Sequence, residues 1–230
     1  MLSASATSTL LHGLAGPRMR VSGTAKAKVG LEWSMQWKLA AGGMMSMHSV
    51  SIAVVAYLLL SCGSPMAQAF TLNSSSVKAG GWLSAEQEYS GHGCAGGNIS
   101  PELSWSGAPA DTKSFAVTLF DPDARAGQGW WHWVVINIPP TVHALSEDAG
   151  NRSGRHLPPR AVQVRTSFGD SAYGGACPPV GDKPHRYVFT VYAMKVARIA
   201  LASSASAASA SLFINANALD RATLVARYGR

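Results

Sequence analysis

Charge is scarce in this sequence. Only 13% of its 230 residues are Asp, Glu, Lys or Arg, against 47% hydrophobic residues. That balance excludes a charge-rich disordered chain, which could not bury enough apolar surface to fold. Acids are the rarer sign, 12 against 19 Lys and Arg. Residues 1–69 hold five of those bases and one acid, so residues 70–230 carry 14 bases and 11 acids. A surplus that small, with no Lys/Arg stripe interleaved with aromatics, argues against a nucleic-acid partner. Cysteine is scarce too, with three at positions 62, 94 and 177. No C-x-x-C or H-E-x-x-H pair exists, so neither a metal site nor a cofactor is expected. G-x-S-x-G and the P-loop are both missing, which argues against the commonest hydrolase and nucleotide chemistries. Gly91–Gly96 matches G-x-G-x-x-G in letters only. No apolar strand precedes it and Pro101 stands where its helix should begin.

Long apolar runs are also missing. Val50–Leu60 spans 11 positions, with Ser51 interrupting. It is short for a membrane span and suits the core of an export signal. Ala67-Gln68-Ala69 supplies the small-x-small cleavage pattern. We therefore read 1–43 as an upstream or disordered extension, 44–69 as an export signal cleaved after Ala69, and 70–230 as one domain. A periplasmic or secreted protein follows, touching membrane only through that signal or a lipid. The rival readings are lipoprotein processing at Cys62 and an uncleaved anchor.

What is present is organised around residues 114–138. Phe115, Val117 and Leu119 alternate with smaller or polar residues, as a half-buried strand does. Asp121-Pro122-Asp123 stops that strand, because Pro122 lacks an N–H. The loop Gly127-Gln128-Gly129 then leads into Trp130-Trp131-His132-Trp133 and the apolar run Val134–Ile138. Further strands are expected at 70–77, 103–105, 161–165, 187–194 and 222–228, with 83–89 a strand or an extended linker. Residues 91–98 and 141–159 read as loops. The Ala/Ser tract 200–210 reads as loop passing into one helix ending near Leu219, with Leu212, Phe213 and Leu219 as its apolar contacts. Many short strands and few helices imply a mainly β sandwich with one small helix near the C-terminus.

Asp121, Asp123, His132, His185 and Arg186 each stand at an expected strand end beside a Gly/Pro loop, where a rigid scaffold can line a pocket. Two imidazoles, with bare N–H groups from Gly174-Gly175-Ala176, would suit a phosphate or another oxyanion. A nearby carboxylate would orient a histidine and favour its charged form. Each residue also has a plainer reading: Asp121 as a turn former, His132 as a core histidine, Arg186 as an ion-pair partner of Asp121 or Asp123. The tryptophans read as core and pocket wall. His92, His143 and His156 lie in polar loops and receive no role.

The blocks D-P-D-A, W-W-H-W-V-V-I-N-I-P and Y-G-G-A-C-P-P-V-G-D-K-P-H-R-Y-V-F-T-V-Y-A resemble the two signatures of the phosphatidylethanolamine-binding proteins, in their bacterial, Raf-kinase-inhibitor-like branch. N-I-S-P-E-L-S-W at 98–105 and N-A-N at 215–217 extend the resemblance to 70–228. It implies an antiparallel β-sandwich with a small anion pocket at one end. By motif, Asp121, Asp123, His132, His185, Arg186 and Tyr187 would belong to that pocket, with the Gly175–Cys177 backbone near the anion. Tyr187 would otherwise read as an ordinary strand aromatic. One departure is Arg125, where the family usually has proline.

Cys94 and Cys177, left after export, read as a disulfide joining two glycine-rich loops. The leading function is a non-catalytic binding module for phosphorylated or other anionic head groups. A protein-interaction module inhibiting a kinase or protease, and a weak hydrolase using the pocket His and Asp, are the alternatives. A protein partner and a homodimer are left open.

Overall fold

The computed structural model describes residues 68–202 and 204–230. The upstream extension, the export signal and Cys62 lie outside the described residues, apart from Gln68 and Ala69.

Three central strands carry the fold: β5 (Ser114–Asp121), β6 (Trp130–Ile138) and β9 (His185–Met194). With β8 (Val162–Gln163) and β10 (Ala218–Tyr228) they form an antiparallel five-stranded sheet in the order β10-β9-β5-β6-β8. A second sheet, β1-β4-β7, is built from Thr71–Asn73, Leu103–Ser106 and Ala144–Leu145. A small ribbon pairs β2 (Ser90–Gly91) with β3 (Cys94–Ala95). The chain is a β-sandwich, as expected; among the described residues it has a single short turn, α1 (Ala124–Gly127), and one longer helix, α2 (Ala207–Asn217).

The large sheet is buried on both faces, which explains its near-continuous apolar strands. Phe115, Val117 and Leu119 point into the core between the sheets, with Trp133, Val135 and Phe189. Ala116, Val134 and Ile136 point the other way, into a smaller core beneath α2. Ser206 caps α2 by accepting from the Ser209 N–H at 3.1 Å, satisfying an otherwise orphaned donor.

Several expectations fail here. Helix α2 buries Ala207, Ala210 and Ile214, whereas Leu212, Phe213 and Leu219 are exposed. The i, i+3, i+7 stripe puts small alanines against the sheet, which lets the helix lie close, and turns the large residues outward. The segment 141–159 is not all surface loop. Leu145 pairs with β4 as part of the second sheet, and both Leu145 and Ala149 are buried. The strand expected at 70–77 is only three residues long, and 83–89 forms turns.

Cys94 and Cys177 are bonded, 83 residues apart, with 6.0 Å between their Cα atoms. The bond ties the β2–β3 ribbon to the loop before β9. Arg230 reinforces it, donating to the carbonyls of Pro178 and Gly93 at 2.6 and 2.7 Å. Cys94→Ser with Cys177→Ser should lower the unfolding free energy by about 4 kcal/mol on the chain-entropy account of a long closed loop. Denaturant titrations of the variant, and of the wild type with and without reductant, measure the loss.

Candidate functional site

The strand directions bring the distant chemistry together. β5 ends at Asp121, β6 begins at Trp130 and β9 begins at His185, and antiparallel pairing puts all three at one end of the sheet. His132 and Tyr187 follow two positions inside their strands. Around them lies a cleft of about 660 Å³.

Asp121 sits at its floor, only 2% exposed. Its Oδ1 accepts from the N–H groups of Asp123 and Ala124 at 2.8 and 3.1 Å, the side-chain turn that bends the chain after β5. Its Oδ2 accepts from His185 Nδ1 at 2.8 Å. A charge this buried needs such partners, and these three bonds supply them. His185 is thereby oriented with Nε2 free for the cleft, where the Asp182 carboxylate approaches it at 3.5 Å.

His132 is held differently. Its Nδ1 lies 2.7 Å from the Gly174 carbonyl and 3.1 Å from that of Gly175. Carbonyls only accept, so Nδ1 carries the proton and Nε2 keeps a lone pair. Burial pulls its pKa below the ordinary value, outweighing the two carbonyls and Asp121. His132 is therefore a neutral imidazole, and the carboxylate expected to orient a pocket histidine sits on His185 instead. Tyr187 is fully buried and its hydroxyl has no hydrogen-bond partner among the described residues. Burial first, and then the Asp121 charge, push its pKa upward, so it stays an O–H donor. The Cys177 amide acts on it in the opposite sense without reaching hydrogen-bond geometry.

The walls are apolar. Phe168 stacks on Tyr89 at 4.4 Å and meets Trp130 and His132 edge-on at 5.4 and 5.3 Å. Pro178 and Pro179 face it. At the rim, the Arg125 guanidinium lies 4.4 Å from the centre of the Trp130 ring, a cation–π contact. Arg125, Ala126 and Gly127 all have left-handed backbones. Proline cannot adopt positive φ, so this turn requires another residue where the family's proline usually stands.

Several expected site residues serve other purposes. Arg186 points away from the cleft and grips Asp123 through Nε at 2.9 Å and a terminal nitrogen at 2.6 Å. Its own N–H also donates to that carboxylate. Asp123 reaches the cleft edge with its charge already matched. The bare amides expected at 174–176 are all used: Gly174 donates to the His132 carbonyl, Gly175 to Asn98 Oδ1 and Ala176 to the Gln87 carbonyl. Gly175 is needed for packing, since a Cβ there would lie 2.3 Å from the Gln87 carbonyl oxygen. Cys177 lines the cleft as half of the disulfide. His92 and Phe168 line it too. No motif marked them, because loops far apart in sequence deliver them.

Comparison with known proteins places these features in a family. A family model described as phosphatidylethanolamine-binding protein matches residues 73–229. The UPF0098 protein YbcL of Escherichia coli is 51% identical over 165 residues, covering 72% of this chain and 90% of YbcL. YbhB of the same organism is 41% identical over 157 residues, covering 68% of this chain and 98% of YbhB. The putative lipoprotein LppC of Mycobacterium tuberculosis is 34% identical over 135 residues, 59% of this chain and 62% of LppC. The crystal structure of E. coli YbcL, described as a new member of the mammalian PEBP family, matches with a TM-score of 0.69 at 50% identity. That match covers 70% of this chain and 98% of the YbcL chain.

The Arg186 grip lowers the Asp123 pKa from 3.8 to about 2. A carboxyl depressed on folding stabilises the protein above its unfolded value, and that contribution is lost as pH falls through the folded one. Asp123→Asn should therefore be less stable than wild type at pH 5 to 7, with the gap closing below about pH 4 and gone only below the folded value of about 2. Thermal melts across that range measure the gap, discounted by the exposure of the pair.

Proposed function

Because this chain belongs to the phosphatidylethanolamine-binding protein family, we propose that it is an exported, non-catalytic binding protein whose cleft takes phosphate or a phosphorylated or otherwise anionic head group. The observation that carries this reading is the Tyr187 hydroxyl, a buried donor without a partner on the floor of the cleft. Such a group costs free energy unless something occupies it. Beside it, His185 Nε2 faces the cleft, where an incoming anion would take the place of the Asp182 carboxylate now 3.5 Å away. His132 Nε2 can accept from a protonated phosphate oxygen or take up a proton as the anion arrives. The rings of Trp130 and Phe168 suit an organic group attached to it.

A second reading, a weak hydrolase, draws on the 2.8 Å Asp121–His185 bond, which would orient a base toward water. The Ser167 side chain also lines the cleft, and its hydroxyl oxygen accepts from the Trp131 N–H at 3.0 Å.

Calorimetry with inorganic sulfate and phosphoethanolamine tests both readings. Sulfate does not titrate near neutrality, so it isolates the imidazole. Its affinity should rise as pH falls below neutrality, because the bound anion favours the charged His132 that burial disfavours. His132→Ala should remove that pH dependence and Tyr187→Phe should weaken binding several-fold. No heat at millimolar ligand sinks the binding reading. Release of inorganic phosphate from phosphoethanolamine, lost in Asp121→Asn, favours the hydrolase.

Export draws support from the disulfide, which forms in oxidising compartments. Among the described residues no helix is long and apolar enough to cross a membrane. The intact mass of the protein from the envelope fraction should correspond to a chain starting at Phe70. An acylated Cys62 would instead show lipoprotein processing.

A further inference from the structure

The large sheet has a second cleft at its other end, opposite the one described. Lys113 leads into β5, Pro139 and Pro140 leave β6, and Arg198 follows β9. β6 has nine residues, so the two clefts stand roughly 27 Å apart along it. The second measures about 600 Å³. Lys113, Arg160 and Arg198 line it with the prolines and Val162, and none of its lining residues is acidic.

These cations are exposed, and none has a side-chain hydrogen bond or ion pair among the described residues. Elsewhere on the surface Arg152 and Arg186 each hold a carboxylate, at 2.6 Å in both cases. Three like charges around one concavity repel one another and attract an anion.

The backbone beneath them is clamped. Asn137 sits at a β-bulge with φ of 61°, its side chain buried. It donates from Nδ2 to the Ile199 carbonyl at 3.1 Å and accepts from the Ile199 N–H at 2.7 Å. On the other side the Ser114 hydroxyl donates to the Val196 carbonyl at 2.7 Å. Ala197 and Arg198 are held between those two clamps. Arg160 also has a left-handed backbone, with φ of 71°. Bulges re-aim side chains, and strained positions persist only where their surroundings determine them. The result is a set of cations presented from a rigid base, with apolar proline walls beside them.

We propose that this cleft is a second anion site, for a phosphate group carried either by a small soluble molecule or by a lipid head group. It is independent of the His132 cleft and makes the protein two-ended. The test is NMR titration of the isotopically labelled full chain with inorganic phosphate at low ionic strength, with co-sedimentation on vesicles of phosphatidylcholine with and without phosphatidylglycerol. Amides of Lys113, Ala197 and Arg198 should shift saturably. In the triple variant Lys113→Gln, Arg160→Asn, Arg198→Gln those shifts should need at least about tenfold more phosphate, from three lost charge contacts. Shifts near His132 and Tyr187 should be unchanged. Asparagine tolerates the left-handed backbone at 160, and all three side chains are exposed, so the variant keeps the fold. Phosphate binding without vesicle binding assigns a soluble ligand; phosphatidylglycerol-dependent sedimentation lost in the variant assigns a lipid. The proposal is overturned if phosphate leaves the far-end amides silent and vesicles do not bind. It is equally overturned if the triple variant matches wild type in both assays. Silence near His132 alone counts against the first cleft and leaves the second standing.

Discussion

One buried carboxylate holds the functional end of this protein together. Asp121 closes β5, turns the chain through two backbone N–H groups, and clasps His185 at the start of β9. A charge in that position must be fully partnered, and its partners come from segments some sixty residues apart. The constraint therefore works in both directions. The sheet brings the partners to Asp121, and Asp121 fixes where the following loop leaves the sheet and which nitrogen of His185 faces the cleft.

The rest of the site is built by dividing labour between strands and loops. Strands supply the polar floor of Asp121, His132, Tyr187 and His185, each buried at a rigid sheet end. Loops supply the walls, and they are cross-tied so that they behave as part of the scaffold. The disulfide joins two of them, Arg230 spans the same pair, and Asn98 and Gln87 take up the amides of the 174–176 segment. That segment's backbone was a candidate anion nest. Its donors are instead spent on making the cleft rigid, and its carbonyls on setting the tautomer of His132. Selectivity in such a cleft comes from side-chain donors with few alternatives to a ligand, rather than from a row of free amides.

Both ends of the large sheet follow the same construction. A buried polar side chain, Asp121 at one end and Asn137 at the other, clamps a neighbouring segment and so orients the ionisable groups beside it. At the first end those groups are buried and mutually compensated. At the second they are exposed and uncompensated among the described residues. The first suits a small ligand held by geometry, the second an anion attracted by charge and sensitive to salt.

Local pattern decided much of this protein. The alternation of Phe115, Val117 and Leu119 with the stop at Pro122, the run from Trp130 to Ile138 and the run from Tyr187 to Met194 named three strands and placed Asp121, His132 and His185 at their ends. The bond between Cys94 and Cys177 was likewise legible, as the pairing of the two cysteines in residues 70–230. These features depend on near neighbours or on simple counting. What tertiary structure alone decided was how each group is used. Arg186 could have faced the cleft, but the register turned it to Asp123. His132 could have been charged, but burial kept it neutral. Leu212 and Phe213 could have packed inward, but the alanine stripe of α2 fitted the sheet more closely. Phe168 and His92 entered the site from loops whose paths no periodicity describes. Periodicity specifies which face of an element is apolar. Partnership, protonation and the lining of a cleft depend on contacts between distant segments, which exist only once the sheet has closed over its core.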